Sequence, residues 1–128
     1  MAKRFSTPIE LRFSDLDAYG HVNSAVYFTY LETARMKLFR EVFQELTDQG
    51  LFIVVGRAEC DFRSPILLND HVMVSVWVAR VGNTSFDLEY HIHDSVDKTY
   101  ATARTTMVCF DSVNEKPISV PDRLRELA

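Results

Sequence analysis

Polar residues with catalytic potential are concentrated in one short stretch of the sequence, SDLDAYGHVNS, at residues 14–24. A carboxylate can attack a carbonyl carbon, or take a proton from the water that does. If a helix begins at the end of this stretch, its first N–H groups lack partners within the helix and can stabilise a developing oxyanion. Such a site performs acyl transfer without a serine, cysteine or metal. The candidate residues are Asp15, Asp17, Gly20, His21, Asn23 and Ser24.

The spacing of Asp17 and Gly20 also has a purely structural interpretation. In a D-x-x-G sequence the aspartate commonly forms a turn and the glycine supplies the positive φ that the turn needs. Residues 8–14, PIELRFS, alternate between apolar and polar and predict a half-buried strand. If this strand kept its pleat, Asp15 and Asp17 would point toward its apolar side. The sequence alone leaves the catalytic and the turn-forming interpretations open.

One long amphipathic helix must position these groups. It is predicted to begin at Asn23, where Asn23 and Ser24 are both favourable N-cap types, and to run to about Asp48 before Gly50 stops it. Glu32 and Arg35 are three residues apart on this helix and are predicted to form a plain surface pair, unless a buried Glu32 contacts a partner's site. The predicted apolar face consists of Tyr27, Tyr30, Leu31, Ala34, Leu38, Phe39 and Val42.

The rest of the chain is predicted to form strands at residues 51–62, 71–81, 85–93 and 99–110, with one or two helical turns at the C-terminal end. Short turns join the last three strands, which are therefore expected to be antiparallel neighbours. A single helix cannot cover both faces of a five-stranded sheet. Either the sheet curls around the helix, or its uncovered face pairs with another subunit, or both.

Composition narrows the function classes. The formal net charge of −4 argues against a broad electrostatic interface with nucleic acid. No signal peptide or membrane-spanning run is recognisable, so a cytoplasmic protein without a membrane partner is expected. Cys60 and Cys109 have no metal-binding spacing and are expected to be reduced, buried thiols. His91 and His93 lie on one strand face with Asp87 and Glu89, which indicates a solvated polar face; neither a metal nor a cofactor is expected.

The stretch RFSDLDAYGHVNSAVYFTYLETAR, residues 12–35, resembles the 4-hydroxybenzoyl-CoA thioesterase branch of the hotdog-fold superfamily. The resemblance implies one α+β hotdog domain over residues 1–128, in which a five-stranded antiparallel sheet wraps a long central helix. It also implies hydrolysis of acyl-CoA thioesters by homodimers or homotetramers with active sites at the subunit interface.

The resemblance also implies roles for particular residues. Asp17 matches the catalytic aspartate, and the N–H group that polarises the thioester carbonyl falls near Ser24. Asn23 and His21 match positions that line the same site, while Asp15 matches a less essential acidic position.

A second stretch, CDFRSPILLNDHVMV, resembles the segment that reaches the active site from the partner subunit, which places Arg63, Ser64 and Pro65 there. In the turn VGNTSF, Gly82 and Asn83 stand where the family has basic residues that grip CoA phosphates, so only Ser85 matches a contact. Tyr27 is expected in the core or in the wall of an acyl pocket.

Two other functions stay open at this point. A hotdog hydratase or dehydratase acting on acyl thioesters would use His21, the only nearby histidine. A non-catalytic module that binds acyl-CoA or an acyl carrier would keep the fold without turnover.

Overall fold

The computed structural model describes residues 3–128, and an extended helix lies at its centre. Helix α1 spans Ser24–Asp48 and is capped by Asn23, whose side-chain oxygen accepts a hydrogen bond from the Ala25 N–H. At the other end, Gly50 has a φ of +76°, which ends the helix as predicted. Within residues 3–128, no helix is long and apolar enough to cross a bilayer.

A six-stranded antiparallel sheet packs against α1. Its strands are β1 (Phe5–Pro8), β2 (Leu51–Phe62), β3 (Met73–Val81), β4 (Ser85–His93), β5 (Thr99–Asp111) and β6 (Lys116–Pro117). The order across the sheet is β1-β3-β4-β5-β2, and the short β6, which the sequence did not predict, pairs with β5. A short C-terminal helix, α2, spans Asp122–Arg125.

The sheet curls around the helix, because α1 contacts both outer strands, β1 and β2, as well as β3. Register shifts in β2, β3 and β5 locally increase the twist that this wrapping requires. The predicted α+β architecture of one long helix wrapped by an antiparallel sheet is therefore confirmed. The core lies between α1 and the sheet's inner face, and the alternate valines of β3 are at most 2% exposed: Val74, Val76 and Val78.

The first strand differs from the prediction. β1 ends at Pro8, only the Ile9 N–H continues the pairing by donating to the Val72 carbonyl, and residues Phe13–Asp15 form a 3₁₀ helix instead of a strand. Phe13, predicted on the buried side, is 81% exposed, while Asp15 is 1% exposed. The chain bends here because Asp15 finds buried hydrogen-bond donors that a straight strand would not bring within reach.

Two further expectations are corrected on the helix and on β4. Arg35 is not part of a plain surface pair, because its side chain is only 12% exposed while that of Glu32 is 65% exposed. Asp87 does not lie on a solvated face, since it is 5% exposed and accepts a hydrogen bond from the Thr106 hydroxyl. Arg35 and Asp87 are both charged groups that packing has largely removed from water.

Candidate active site

Asp17 lies in a tight turn that its own side chain stabilises. Its Oδ1 accepts hydrogen bonds from the Tyr19 N–H at 2.9 Å and the His21 N–H at 3.2 Å. Gly20, at a φ of +78°, closes the turn, so the turn-forming interpretation of the D-x-x-G spacing holds. Within residues 3–128 no group donates a hydrogen bond to Oδ2. The turn thus fixes the carboxyl group through one oxygen and leaves the other available.

The helix start lies directly after this turn. Asn23 caps α1, and its N–H donates to the Asp15 carbonyl at 2.9 Å, which fixes where the helix begins. Ser24 is the first helical residue, and no acceptor in the part of the chain that the structure describes bonds to its N–H. An unpaired N–H at this end of a 25-residue helix is a natural donor to a carbonyl oxygen or an oxyanion.

Asp15 is buried and holds the loop in place through its hydrogen bonds. Its carboxylate accepts hydrogen bonds from the Tyr30 hydroxyl at 2.7 Å, from the Arg12 N–H at 3.1 Å and from the Arg12 guanidinium at 3.0 and 3.2 Å. Burial acts to raise the pKa of Asp15, but these donors together outweigh it and lower the pKa. Burial, followed by the nearby Asp15, raises the pKa of Tyr30. Asp15 therefore anchors the loop to the helix as a carboxylate.

A cavity of about 370 Å³ brings most of the predicted site residues together. The predicted residues that line it are Asp17, His21, Asn23, Ser24, Tyr27, Arg63, Ser64 and Pro65. Val22 and Phe62 complete the wall and were not predicted. Phe62 is 50% exposed and packs edge-on against Tyr27 with ring centroids 4.9 Å apart. Its position as a large aromatic residue at the end of the predicted strand β2 was the sequence feature that could have indicated a role in the site.

Ser85 lies elsewhere in the protomer. It begins β4, and its carbonyl accepts a hydrogen bond from the Gly82 N–H at 2.7 Å within the turn before that strand. This turn is held by Arg125 of α2, whose guanidinium donates to the carbonyls of Gly82 and Asn83. Ser85 does not line the cavity that contains Asp17.

The segment at residues 63–71 contributes Arg63, Ser64 and Pro65 to the cavity wall and is tied to Tyr100 at both ends. The Tyr100 carbonyl accepts hydrogen bonds from the N–H groups of Arg63 and Ser64, at 2.9 and 3.1 Å. The Tyr100 hydroxyl donates to the His71 carbonyl at 3.2 Å. In its middle, the segment is joined to the Asp17 turn, because the Val22 N–H donates to the Ile66 carbonyl at 2.8 Å.

Tyr27 is the most buried side chain in the cavity wall. It is 3% exposed, and its hydroxyl lies 3.5 Å from the Ser64 carbonyl. Burial raises the pKa of Tyr27, so this residue stays a neutral phenol at neutral pH. Burial likewise raises the pKa of Cys60 and of Cys109 to about 11, and both are free thiols; Cys109 is buried as predicted, whereas Cys60 is only half-buried. Tyr27 therefore supplies shape and neutral polarity to the cavity wall rather than charge.

His91 and His93 stack with ring centroids 4.5 Å apart, and both are held by hydroxyl groups. His93 Nε2 lies 2.8 Å from the Ser75 hydroxyl, and His91 Nε2 lies 2.8 Å from the Thr99 hydroxyl. Burial lowers the pKa of both histidines. Among the residues described, no three His, Cys, Asp or Glu side chains are grouped as a metal site.

The fold and the cavity define a class of protein, an α+β domain whose long helix presents its N-terminus to a carboxylate in a surface cleft. The sequence profile of the Thioesterase-like superfamily matches residues 11–127, and the chain belongs to this superfamily. The chain is 30% identical over 123 residues to the long-chain acyl-CoA thioesterase FadM of Escherichia coli (strain K12), covering 94% of this chain and 93% of FadM.

Two solved structures are similar to this one along nearly their whole length. The probable thioesterase YbaW from Escherichia coli superposes with a TM-score of 0.87 at 30% identity, over 95% of this chain and 94% of that chain. A thioesterase complexed with coenzyme A and Zn from Thermus thermophilus superposes with a TM-score of 0.82 at 32% identity, over 94% of each chain. The predicted hotdog fold is confirmed, and the predicted thioester hydrolase is confirmed at the level of the family.

Proposed function

We propose that this protein hydrolyses acyl-CoA thioesters to a free acid and CoA, in the manner of the 4-hydroxybenzoyl-CoA thioesterase branch. One observation carries the proposal: the Asp17 carboxylate and the unpaired Ser24 N–H line the same cavity. Relatives with high coverage are named acyl-CoA thioesterases, and one similar structure holds coenzyme A, which supports CoA as the carrier.

In the proposed reaction the thioester oxygen accepts a hydrogen bond from the Ser24 N–H. This donor and the helix dipole stabilise the negative charge that develops on that oxygen. The free Oδ2 of Asp17 then attacks the carbonyl carbon, or takes a proton from the water that attacks it. The CoA thiolate is a good leaving group and needs little assistance from an acid. Asn23 and His21 support the site by shaping the loop between the two reacting groups.

The cavity wall is proposed to bind the substrate. Tyr27 and Phe62 offer aromatic surface to the acyl group, and Arg63, Ser64 and Pro65 border the opening with an exposed cation and a hydroxyl. Ser85, which lies away from this cavity, contributes a CoA contact only if a second protomer brings its turn close.

A second copy of the chain is proposed to complete the site. β2 is an outer strand of the sheet, 12 residues long, and it exposes the apolar side chains of Phe52, Val54 and Val55 at 43–44%. A long apolar edge of this kind is normally paired or covered. Antiparallel pairing of two β2 strands about a two-fold axis sets the first half of one strand beside the second half of the other. A homodimer, or a homotetramer made of two such dimers, then has its active sites at the interface.

The test measures thiol release from a panel of short, long and aromatic acyl-CoAs, with Asp17→Asn assayed beside the native chain. Release by the native chain and a loss of at least about 100-fold in Asp17→Asn are expected. Hydration and simple binding leave the thioester intact, so the same assay distinguishes hydrolysis from both of these alternatives. Absence of release from every acyl-CoA, or full activity in Asp17→Asn, would refute the proposal.

A single turnover in ¹⁸O-labelled water distinguishes the two roles of Asp17. A nucleophilic Asp17 forms an anhydride, and hydrolysis of the anhydride at the aspartyl carbon leaves label in the enzyme. A general base places all the label in the released acid during that turnover.

A further inference from the structure

The loop that carries Asp17, residues 15–23, is closed by pairing between its two sides. Its three pairs are Asp15 with Asn23, Leu16 with Val22, and Asp17 with His21. In the first pair the Asn23 N–H donates to the Asp15 carbonyl at 2.9 Å. In the third pair the Asp17 N–H donates to the His21 carbonyl at 2.7 Å. The loop is therefore one unit, and any rotation at its base carries Asp17 with it.

Beyond the first helical turn, a single hydrogen bond joins this loop to α1 in residues 3–128. The Tyr30 hydroxyl, in the second turn of the helix, donates to Asp15 Oδ2 at 2.7 Å. The other hydrogen bonds between loop and helix are those that Asn23 accepts from the N–H groups of Ala25 and Val26. These two lie at the point where the loop meets the helix, so they fix where α1 begins and not how the loop is inclined to it.

The opposite side of the loop is tied instead to the segment at residues 63–71. In the described chain no hydrogen bond joins the Asp15 side to that segment. Arg12 also donates to the Asp15 carboxylate, but it is three residues away in sequence and its side chain is 65% exposed, so it does not attach the loop to the helix. Tyr30 is thus the residue that attaches the Asp15 side to α1.

This attachment is made by a carboxylate that the fold has removed from water. Asp15 is 1% exposed and Tyr30 is 3% exposed. Burying a carboxylate is costly, and an apolar pair of similar volume often stabilises a protein equally well. What the hydrogen bond adds to packing is direction, since it fixes a distance and an angle between its two groups. The contact is therefore suited to orienting the loop.

Asp15 adjoins both proposed reacting groups without touching the substrate. It lies two residues before Asp17, and its carbonyl binds the N–H of Asn23, the residue before Ser24. Neither Asp15 nor Tyr30 lines the cavity that contains Asp17. A misplacement of about 1 Å between reacting groups can lower a rate by about 10²-fold. Asp15 and Tyr30 can therefore affect the rate only through the loop.

We propose that Asp15 and Tyr30 are positioning residues of the reaction, because their hydrogen bond sets the inclination of the loop to α1 and so places Asp17 Oδ2 relative to the Ser24 N–H. The inference rests on the proposed function and extends it to two residues outside the cavity. Tyr27, Phe62 and the segment at residues 63–71, which supply most of the cavity wall, lie outside the loop. Loss of the contact should therefore lower kcat and leave KM nearly unchanged.

The experiment measures thiol release from an acyl-CoA by the native chain, by Tyr30→Phe, by Asp15→Asn and by the double variant. Each single variant should lower kcat by about tenfold to a hundredfold, with KM changed by less than about twofold. The double variant should be no slower than the slower single variant, because both substitutions remove the same contact. Losses of kcat that multiply in the double variant would contradict a shared contact.

Tyr90→Phe is the matched control for a loss of stability. Tyr90 is 1% exposed, and its hydroxyl shares a 2.7 Å hydrogen bond with the Thr105 hydroxyl. It lies on β4 and does not line the Asp17 cavity, so this variant should be destabilised but keep the native kcat when all proteins are assayed well below their unfolding temperatures. Equal kcat in Tyr30→Phe and Tyr90→Phe, or a rise in KM alone in Tyr30→Phe, would overturn the inference while the proposed function stands.

NMR signals of the Asn23 and Ser24 amides give a readout that does not need turnover. They should shift in Tyr30→Phe and stay at their native positions in Tyr90→Phe. If the native chain releases no thiol from any acyl-CoA, the proposed function fails, and unchanged amide signals in Tyr30→Phe then overturn the inference as well. Tyr30→Phe keeps the test decisive if Asp15→Asn does not fold, since it removes one hydroxyl and leaves the donors of Arg12 in place.

Discussion

Replacing Tyr30 with phenylalanine removes one hydroxyl group from the contact that joins α1 to the buried carboxylate of Asp15. The hydroxyl donates to Asp15 Oδ2 at 2.7 Å, and both residues are at most 3% exposed. Asp15 would keep its hydrogen bonds from Arg12, so its carboxylate would lose one donor but would not be left unpaired. A buried hydrogen bond to a charged group contributes about 1.5–3 kcal/mol. Tyr30→Phe should lower the free energy of unfolding at neutral pH by this amount.

The loss of stability in Tyr30→Phe should depend on pH. The lowered pKa of Asp15 determines the direction of this dependence. This pKa is lowered in the folded state from 3.8, so the stability that Asp15 contributes is fully present above about pH 4 and is lost as pH falls through its folded-state value. Tyr30→Phe brings the folded-state pKa back toward 3.8. The difference between the two proteins should therefore shrink below pH 4, toward the ~1 kcal/mol of a neutral hydrogen bond.

Urea unfolding of both proteins at pH 7 and at several values below pH 4 measures the effect. A double-mutant cycle with Asp15→Asn isolates the contact, because Tyr30→Phe should cost less in that background. Equal stability of native protein and Tyr30→Phe at pH 7 would refute the reasoning, as would a loss of the same size at all pH values.

Three further outcomes follow from the site and its supports. Ser24→Pro removes the proposed N–H donor at a helix position that tolerates proline, so it should lower kcat by about 10²–10³-fold, whereas Ser24→Ala should retain activity. Equal activity of the two variants would exclude the Ser24 N–H as the donor. Tyr100→Phe removes the hydroxyl that holds the His71 carbonyl and should raise KM several-fold with kcat retained, and a fall in kcat alone would contradict this role. Gly20→Ala, at a φ of +78°, should reduce stability by about 1 kcal/mol in thermal unfolding, and no change would show that the turn relaxes.

The helix and the central strands could be predicted because their periodicity agrees with their environment. The predicted helix from Asn23 to about Asp48 is observed as Ser24–Asp48, and the predicted strands at 51–62 and 85–93 match β2 and β4. The prediction of a strand at residues 8–14 was wrong, because the alternation of apolar and polar residues there reflects partial burial beside the helix and not pairing with another strand. Nothing in local sequence indicates that pairing with β3 ends near Ile9.

Residues whose partners are close in sequence could be predicted, and residues whose partners are distant in sequence could not. The proximity of Asp17 to Ser24 was predictable because both belong to one short motif at a helix start. The burial of Asp87 was not, because it depends on Thr106 and on Arg80 and Arg104, which other strands bring beside it. The burial of Arg35 likewise involves a residue distant in sequence, Tyr90 of β4, which lies beside its guanidinium. Side chains whose neighbours are distant in sequence were the ones that periodicity misassigned.

The double attachment of the segment at residues 63–71 to Tyr100 has a consequence for redesign. Asp17 and Ser24 are held by hydrogen bonds within residues 15–25, whereas the segment contributes mainly wall and opening. The proposed reacting pair and this segment are connected by the Val22–Ile66 hydrogen bond and by the β-bridge between His21 and Leu67. A graft that preserves these two links and the hydrogen bonds to Tyr100 should be able to exchange the rest of the segment, so that new substrate ranges become accessible without rebuilding the turn that carries Asp17.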